Sequence, residues 1–263
     1  MTAKIYQFEE LLKYSFIRHG VSTRHGGVSE SYLTSSLNLG LKTADSKQQV
    51  KENYKRFCDA AGLTYENMVH AKQEHGANVR EITSADAGKG LFRNRDYENV
   101  DALVTKEKNI PLVITTADCV PVLFADVKNK IIGAAHCGWR GTLAALAANT
   151  VSEMVRLGGT AENIIAAICP CARSCCYEVS EELALDFKNK TGVGVYEKNG
   201  GFYIDLPQIN KHFLKSAGIL ENNIYDCGIC TICNGDDYFS HRVLGDGRGM
   251  IGSAIELVSA NIY

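Results

Sequence analysis

Three residues in this chain sit where chemistry is usually assembled, and the chain has only seven histidines to spend. His75 closes a strand-like run in Gln73-Glu74-His75-Gly76. His136 lies in Ala134-Ala135-His136-Cys137-Gly138-Trp139-Arg140-Gly141, where an apolar strand meets a helix start. Cys119 ends another apolar run, Thr115-Thr116-Ala117-Asp118-Cys119. Strand ends facing helix starts are where α/β folds build their sites. Two imidazoles and one thiolate would hold Zn²⁺ with a fourth position open, as catalytic zinc requires. The spacing alone does not bring the three together. On spacing, a turn histidine, a small core cysteine and a satisfied buried histidine are the favoured reading, because cysteine is so often simply buried. A nucleophile pair, Cys119 with His136 as base, is a third.

The ten cysteines offer a second cluster. Cys227-x-x-Cys230-x-x-Cys233, together with Cys169, Cys171, Cys175 and Cys176, has the spacing of structural zinc or an iron–sulfur cluster. The alternative is a set of reduced thiols packed in one corner. Arg24, Arg140, Arg242 and Arg248 lie among glycines or turn residues, where a guanidinium fork and an open backbone suit phosphate or carboxylate. Gly245-x-Gly247-x-Gly249 neither follows a clear strand nor opens a clear helix, so it is a turn and not a dinucleotide fingerprint. The single tryptophan, Trp139, reads as a packing residue.

The elements that must position these residues interleave. A helix is expected at about 46–61, ending near Gly62, and a strand with a turn at His75-Gly76 over Met68 to Ile82. VDALVT, IPLVITTADC, VPVLFAD and IIGAAHCGW are Val- and Ile-rich, too short for separate helices, and read as strands. From Thr142 apolar residues recur at helical spacing as far as Gly158-Gly159. A strand at AENIIAAICP, a helix at EELALDFKNKTG, a strand at FYIDL and a helix at LPQINKHFLKSAG follow. The class is α/β (α+β) around mixed β-sheets. No repeat, low-complexity tract or linker divides the chain, so one unit over 1–263 is expected.

Composition narrows the function classes. Of 263 residues, 45% are hydrophobic and 22% charged, which excludes a wholly disordered chain or a collagen. A formal net charge of −2 supplies no basic field for nucleic acid or an acidic membrane surface. Glu9, Glu10 and Lys13 interrupt the stretch where a signal peptide needs apolar residues, and no later window reads as a membrane span. A cytoplasmic protein with reduced cysteines is the expectation.

TRHGGVS, SLNLG, KQEHG, DALVT, TTADCVPVLF, AAHCGWRGT, CCYEV and YFSHR occur in this order across nearly the whole chain. Together they resemble the laccase-domain, or polyphenol oxidase (YfiH-like), family, whose members are regarded as purine nucleoside phosphorylases with adenosine deaminase activity. The resemblance implies that His75, Cys119 and His136 are zinc ligands, with copper the alternative metal. It also implies mixed sheets sandwiched by helices, like the catalytic domain of the cytotoxic necrotizing factor toxins. Cys169 and Cys137 depart from the family's pattern and place extra thiols near the presumed site. Multicopper oxidation fits poorly, since it draws on many imidazoles and this chain has no His-x-His pair.

The resemblance implies phosphorolysis of adenosine and inosine, with S-methyl-5'-thioadenosine a further substrate, and deamination of adenosine. Zinc brings the pKa of a bound water to about 7, which suits hydrolytic deamination. Phosphorolysis needs an anion site, for which Arg24 and Arg140 are the candidates, and Asn38 is the candidate polar contact to the nucleoside. Asp118, beside Cys119, would orient a ligand or shuttle protons. The expected partners are therefore a nucleoside and phosphate, without nucleic acid or membrane. Two other readings stand beside this one. A metal-independent cysteine hydrolase would use Cys119 and His136 on an amide substrate, since related proteins have been linked to peptidoglycan precursor editing. A non-catalytic metal-binding module would bind zinc without turnover.

Overall fold

A computed structural model describes residues 2–259; Met1 and residues 260–263 of the expected 1–263 unit lie outside them. In chain order the regular elements begin β1 (Ile5–Tyr6), α1 (Glu9–Leu12), β2 (Ile17–Ser22), α2 (Lys47–Ala61), β3 (Val69–His70) and β4 (Val79–Glu81). Next come β5 (Ala102–Thr105), β6 (Leu112–Thr116), β7 (Val120–Asp126), β8 (Ile131–Cys137), α3 (Trp139–Leu143), α4 (Leu146–Arg156) and β9 (Ile164–Ile168). The last are β10 (Glu178–Val179), α5 (Glu181–Thr191), β11 (Val195–Lys198), β12 (Gly201–Ile204), α6 (Leu206–Ser216), β13 (Ile224–Asp226), α7 (His241–Leu244) and β14 (Ile251–Leu257).

The strands form a five-stranded sheet in the order β1-β2-β14-β6-β3, a six-stranded sheet β13-β9-β7-β8-β5-β4, and a small antiparallel sheet β10-β12-β11. Both large sheets are mixed: β3–β6, β4–β5 and β13–β9 are parallel pairs and the rest antiparallel. β7 and β8 are buried at every residue, and strand periodicity explains why. Alternate side chains point to opposite faces. Leu123 and Ala125 of β7 join Ile132 and Ala134 of β8 against Val21, Ile114, Ile251 and Ile255 of the other sheet. Val120, Val122 and Phe124 face the opposite way, onto Leu146, Val151 and Met154 of α4 and Ile209 and Leu214 of α6. The five-stranded sheet turns its outer face to Tyr54 and Phe57 of α2. The layers therefore run helix, sheet, sheet, helices, which is why the central strands read as continuous apolar runs.

The helix expected at 46–61 is α2. Ser46 caps it through a reciprocal box with Gln49, and Gly62 ends it in the left-handed region at φ 69°. Two expectations are corrected. The segment from Met68 to Ile82 is not a strand with a turn: β3 joins one large sheet and β4 the other, so it is a crossover. The helix from Thr142 is broken at Ala145, which adopts φ 56° between α3 and α4. Asn210 of α6 donates to the Thr142 hydroxyl at 3.0 Å, and this tertiary packing outweighs the helical preference of the alanine-rich segment.

Two buried histidines make the fold acid-sensitive. His19 on β2 accepts from the Phe8 N–H through Nε2 at 2.7 Å, and burial pulls its pKa down to about 4. His70 on β3 is drawn down to about 3, by burial first and Arg95 second. Each protonates in the unfolded chain near 6.5 but resists protonation when folded. The unfolded state thus binds more protons below pH 6.5, and stability falls with pH from there to about 4. The loss at pH 4 is on the order of 3 kcal/mol per site. A urea midpoint followed from pH 7 to 4 is expected to drop steadily in the wild type and less in His19→Gln. Equal slopes would remove His19 from the account.

Candidate active site

Two of the passages between the large sheets arrive at one corner. His75 lies between β3 of the five-stranded sheet and β4 of the six-stranded one, and Cys119 between β6 and β7 makes the same passage. His136 comes from β8. The donor atoms of His75, Cys119 and His136 lie within 4.8 Å of one another, and the two imidazole rings meet edge to face at 4.9 Å. Non-local pairing thus joins what spacing left apart. Gly138 leaves the room for it: a Cβ there would stand 3.1 Å from both Cys119 Sγ and His75 Cδ2.

Asp101, which opens β5 and is fully buried, organises the corner. Its Oδ1 lies 2.8 Å from His136 Nδ1 and accepts the His75 N–H at 3.0 Å. Its Oδ2 accepts the N–H groups of Glu74 at 3.1 Å and Gly76 at 2.8 Å. One carboxylate therefore fixes the ring of one histidine and the backbone of the other, which sits at φ 62°. Burial pushes the Asp101 carboxyl up, but the hydrogen bonds from His136 and the Glu74 and Gly76 N–H groups prevail and hold it below the usual range. Sequence reasoning missed this role. The available signal was an acidic residue just ahead of a largely apolar strand, since a buried carboxylate needs several donors. Gln73 adds a second tie, exchanging two hydrogen bonds with the Thr115 backbone at 2.7 and 2.9 Å just ahead of Cys119.

The charges at the corner are coupled. Burial pushes the Cys119 thiol up, but His136 and hydrogen bonds from both histidines outweigh it and bring the thiol to about 6. Burial lowers the His136 pKa, while the Cys119 thiolate and Asp101 raise it to about 9. At neutral pH the metal-free pair is thiolate and imidazolium. Of the two departing thiols, Cys137 and Cys169 are buried and neither belongs to the His75–Cys119–His136 donor group.

The three residues open onto a cavity of about 650 Å³, within the range of small-molecule sites. Its cations are Lys42, Lys72, Arg95, Arg242 and Arg248, and Tyr177 supplies an aromatic wall with the Arg242 guanidinium 4.8 Å from its ring centre. The expected anion contacts are elsewhere. Arg24 is spent on the carbonyls of Ser35 and Gly235 and does not line the cavity. Arg140 is exposed and stacks on Trp139 at 4.2 Å, also outside it. Asn38 is fully buried: its side chain accepts from Gly40 and Met250 N–H groups and donates to Thr43 and Asp45. It shapes the rim loop from behind. Asp118 does line the cavity, with Oδ1 accepting from the Thr231 hydroxyl at 2.7 Å and Oδ2 from the Arg242 N–H at 3.0 Å.

A family model described as multi-copper polyphenol oxidoreductase laccase matches residues 18–259. The chain belongs to that family. Among relatives, it is 34% identical over 256 residues to a purine nucleoside phosphorylase of Bacteroides thetaiotaomicron, covering 94% of each chain. It is 33% identical over 231 residues to a purine nucleoside phosphorylase of Mus musculus, covering 85% of this chain and 51% of that one. The chain thus spans about half the length of the mouse relative. An adenosine deaminase from an unknown prokaryotic organism is 32% identical over 240 residues, with 87% of this chain and 89% of that one covered. The crystal structure of Bacillus licheniformis protein YfiH superposes with a TM-score of 0.89 at 32% identity, covering 96% of both chains. The family's fold is therefore this chain's fold. No helix among the described residues is long and apolar enough to cross a membrane.

Proposed function

We propose that the chain is a zinc-dependent purine nucleoside phosphorylase, converting adenosine or inosine and phosphate to free base and ribose 1-phosphate, with adenosine deamination at the same site. S-methyl-5'-thioadenosine fits the same reaction. The observation that carries this reading is a His75–Cys119–His136 donor group set in the wall of a cation-rimmed cavity of nucleoside size. The donor chemistry fits zinc, which takes imidazole and thiolate at a site with an open position. Asp101 holds His136 Nδ1 and so leaves Nε2 as ligand, and the Cys119 thiol gives up its proton readily. Zinc would supply Lewis-acid chemistry there, activating water or steadying charge on a departing group.

The chain's own residues do the rest. Phosphorolysis forms a bond from a phosphate oxygen to C1′ and breaks the bond from C1′ to the base nitrogen. The incoming anion needs fixed donors. Arg248 donates to the Ala117 carbonyl at 3.2 Å, and its Nε is buried with no partner among the described residues. We assign phosphate to Arg248 with Arg95 and Lys42, and place the purine against Tyr177. Asp118, with both oxygens occupied, positions Arg242 and the Cys119 turn in this reading and does not shuttle protons. Arg248→Ala is expected to raise KM for phosphate about 10- to 100-fold, the worth of a charge-assisted hydrogen bond, with nucleoside KM little changed. Initial rates at varied phosphate check it, and an unchanged phosphate KM would remove Arg248.

The thiolate–imidazolium pair also suits a metal-free cysteine hydrolase acting on an amide, so the experiment must separate the two. Zinc-loaded and chelator-stripped protein are incubated with adenosine, with and without phosphate, and the products analysed by mass spectrometry. Adenine and ribose 1-phosphate appearing only with phosphate establish phosphorolysis, and inosine without phosphate establishes deamination. Both should vanish on stripping and return with zinc. Adenosine surviving intact in the zinc-loaded sample would sink the reading and leave the hydrolase.

A further inference from the structure

Four cysteines outside the His75–Cys119–His136 corner converge on one point. The Sγ atoms of Cys175, Cys176, Cys230 and Cys233 all lie within 4.8 Å of one another. Cys233 Sγ is 3.3 Å from Cys176 and 3.5 Å from Cys175. Around a tetrahedral zinc with bonds near 2.3 Å, sulfurs stand roughly 3.8 Å apart, and a few tenths of an ångström of adjustment would bring these thiols to that spacing. All four are free thiols. Cys227, expected by spacing to belong with Cys230 and Cys233, is not in the group, and neither are buried Cys169 and Cys171.

The backbone is built for the convergence. The Cys171 and Thr231 N–H groups bond to the carbonyls of Ile229 and Cys171 at 3.3 and 3.0 Å, prolonging the β9–β13 pair as a bridge from Cys171 to Cys230. A bidentate pair between Arg173 and Asp226, both bonds at 2.7 Å, pins the same two segments. Backbone N–H groups of Cys233, Arg173 and Ile232 converge on the Cys230 sulfur.

We propose that Cys175, Cys176, Cys230 and Cys233 form a second metal site, a tetrathiolate that binds zinc and fastens the segment 171–177 to the segment 227–234. On binding, the thiol protons pass to solvent. The site is structural, since four sulfurs leave no open position. It adjoins the cavity. Tyr177 follows Cys176 directly, and Thr231, between Cys230 and Cys233, donates to Asp118. The ion would brace that wall independently of the His75–Cys119–His136 centre.

The test uses the full chain carrying His75→Ala and Cys119→Ala, which disables the first centre, kept in a non-thiol reductant. Titration with Co²⁺ is expected to show one tight equivalent with the intense sulfur-to-metal charge-transfer band of a tetrathiolate. Adding Cys230→Ser should abolish it. In case the variants fold poorly, thiol alkylation is followed residue by residue in the zinc-loaded wild type. Cys175 and Cys233 are exposed and would react at once if free. Protection that survives the reductant and ends with a chelator supports the site. Prompt alkylation, absence of the charge-transfer band, protection lost to reductant alone, or iron in the isolated protein would overturn it.

Discussion

Asparagine in place of Asp101 is expected to weaken zinc binding at His75, Cys119 and His136 by about 10- to 100-fold, the usual cost of losing a carboxylate behind a ligating histidine. The Asp101 carboxylate accepts from the His136 ring and from three consecutive backbone N–H groups. Any orientation of an asparagine amide turns one of those oxygens into a donor facing donors. At least one N–H, partly or fully buried, then loses its partner, at up to about 1–3 kcal/mol. The strain falls on the loop that presents His75 and on the ring of His136 together, so the two ligands should fail as a unit. Competition against a chelator of known affinity measures the effect, with circular dichroism confirming the fold. An unchanged zinc affinity would mean that the ligands hold themselves in place.

A larger effect is expected at Cys119. Alanine there should remove zinc from the first centre and lower both phosphorolysis and deamination by about a thousandfold or more, since metal Lewis-acid stabilisation is worth several kcal/mol. Loss of activity alone would not separate a ligand from a nucleophile. The deciding comparison is wild-type protein stripped of metal, which keeps Cys119 paired with His136. If Cys119 acts as a ligand, the stripped enzyme should be as inactive as Cys119→Ala and should recover with zinc. Activity persisting in the stripped enzyme would make the thiolate itself the reacting group.

Much of the fold was legible where local rules decide it. The box of Ser46 and Gln49 and the left-handed Gly62 bound α2, and the unbroken apolar runs announce strands buried on both faces. What was not legible depends on partners distant in the chain. Nothing near Val69 or Val79 says that the two strands go to different sheets, and nothing near Ala145 marks the break that α6 imposes. The site follows the same division. His75, Cys119 and His136 were drawn together by family resemblance and not by spacing. Arg24 and Arg140 shared their setting among glycines or turn residues with Arg242 and Arg248, yet only the latter two face the cavity. Glycine neighbours show that a backbone can approach an anion, but the side of the sheet is set by the whole topology. The same holds for the cysteines, where Cys-x-x-Cys spacing applied equally to Cys227–Cys230 and Cys230–Cys233, and the β9–β13 pairing selects the second.

The placement of the first centre at the sheet-to-sheet crossovers has a thermodynamic side. His75 and Cys119 are carried by passages from one large sheet to the other, and His136 by a strand of the second. An ion held there is bound only when the two sheets are docked in register, because the unfolded chain has no such corner. By mass action, free zinc at 100 times its dissociation constant adds about 2.7 kcal/mol to the stability of the docked state. On the proposed function, zinc bound at this corner would also act as a rivet through the seam of the molecule, and the zinc supply would set how firmly that seam is closed.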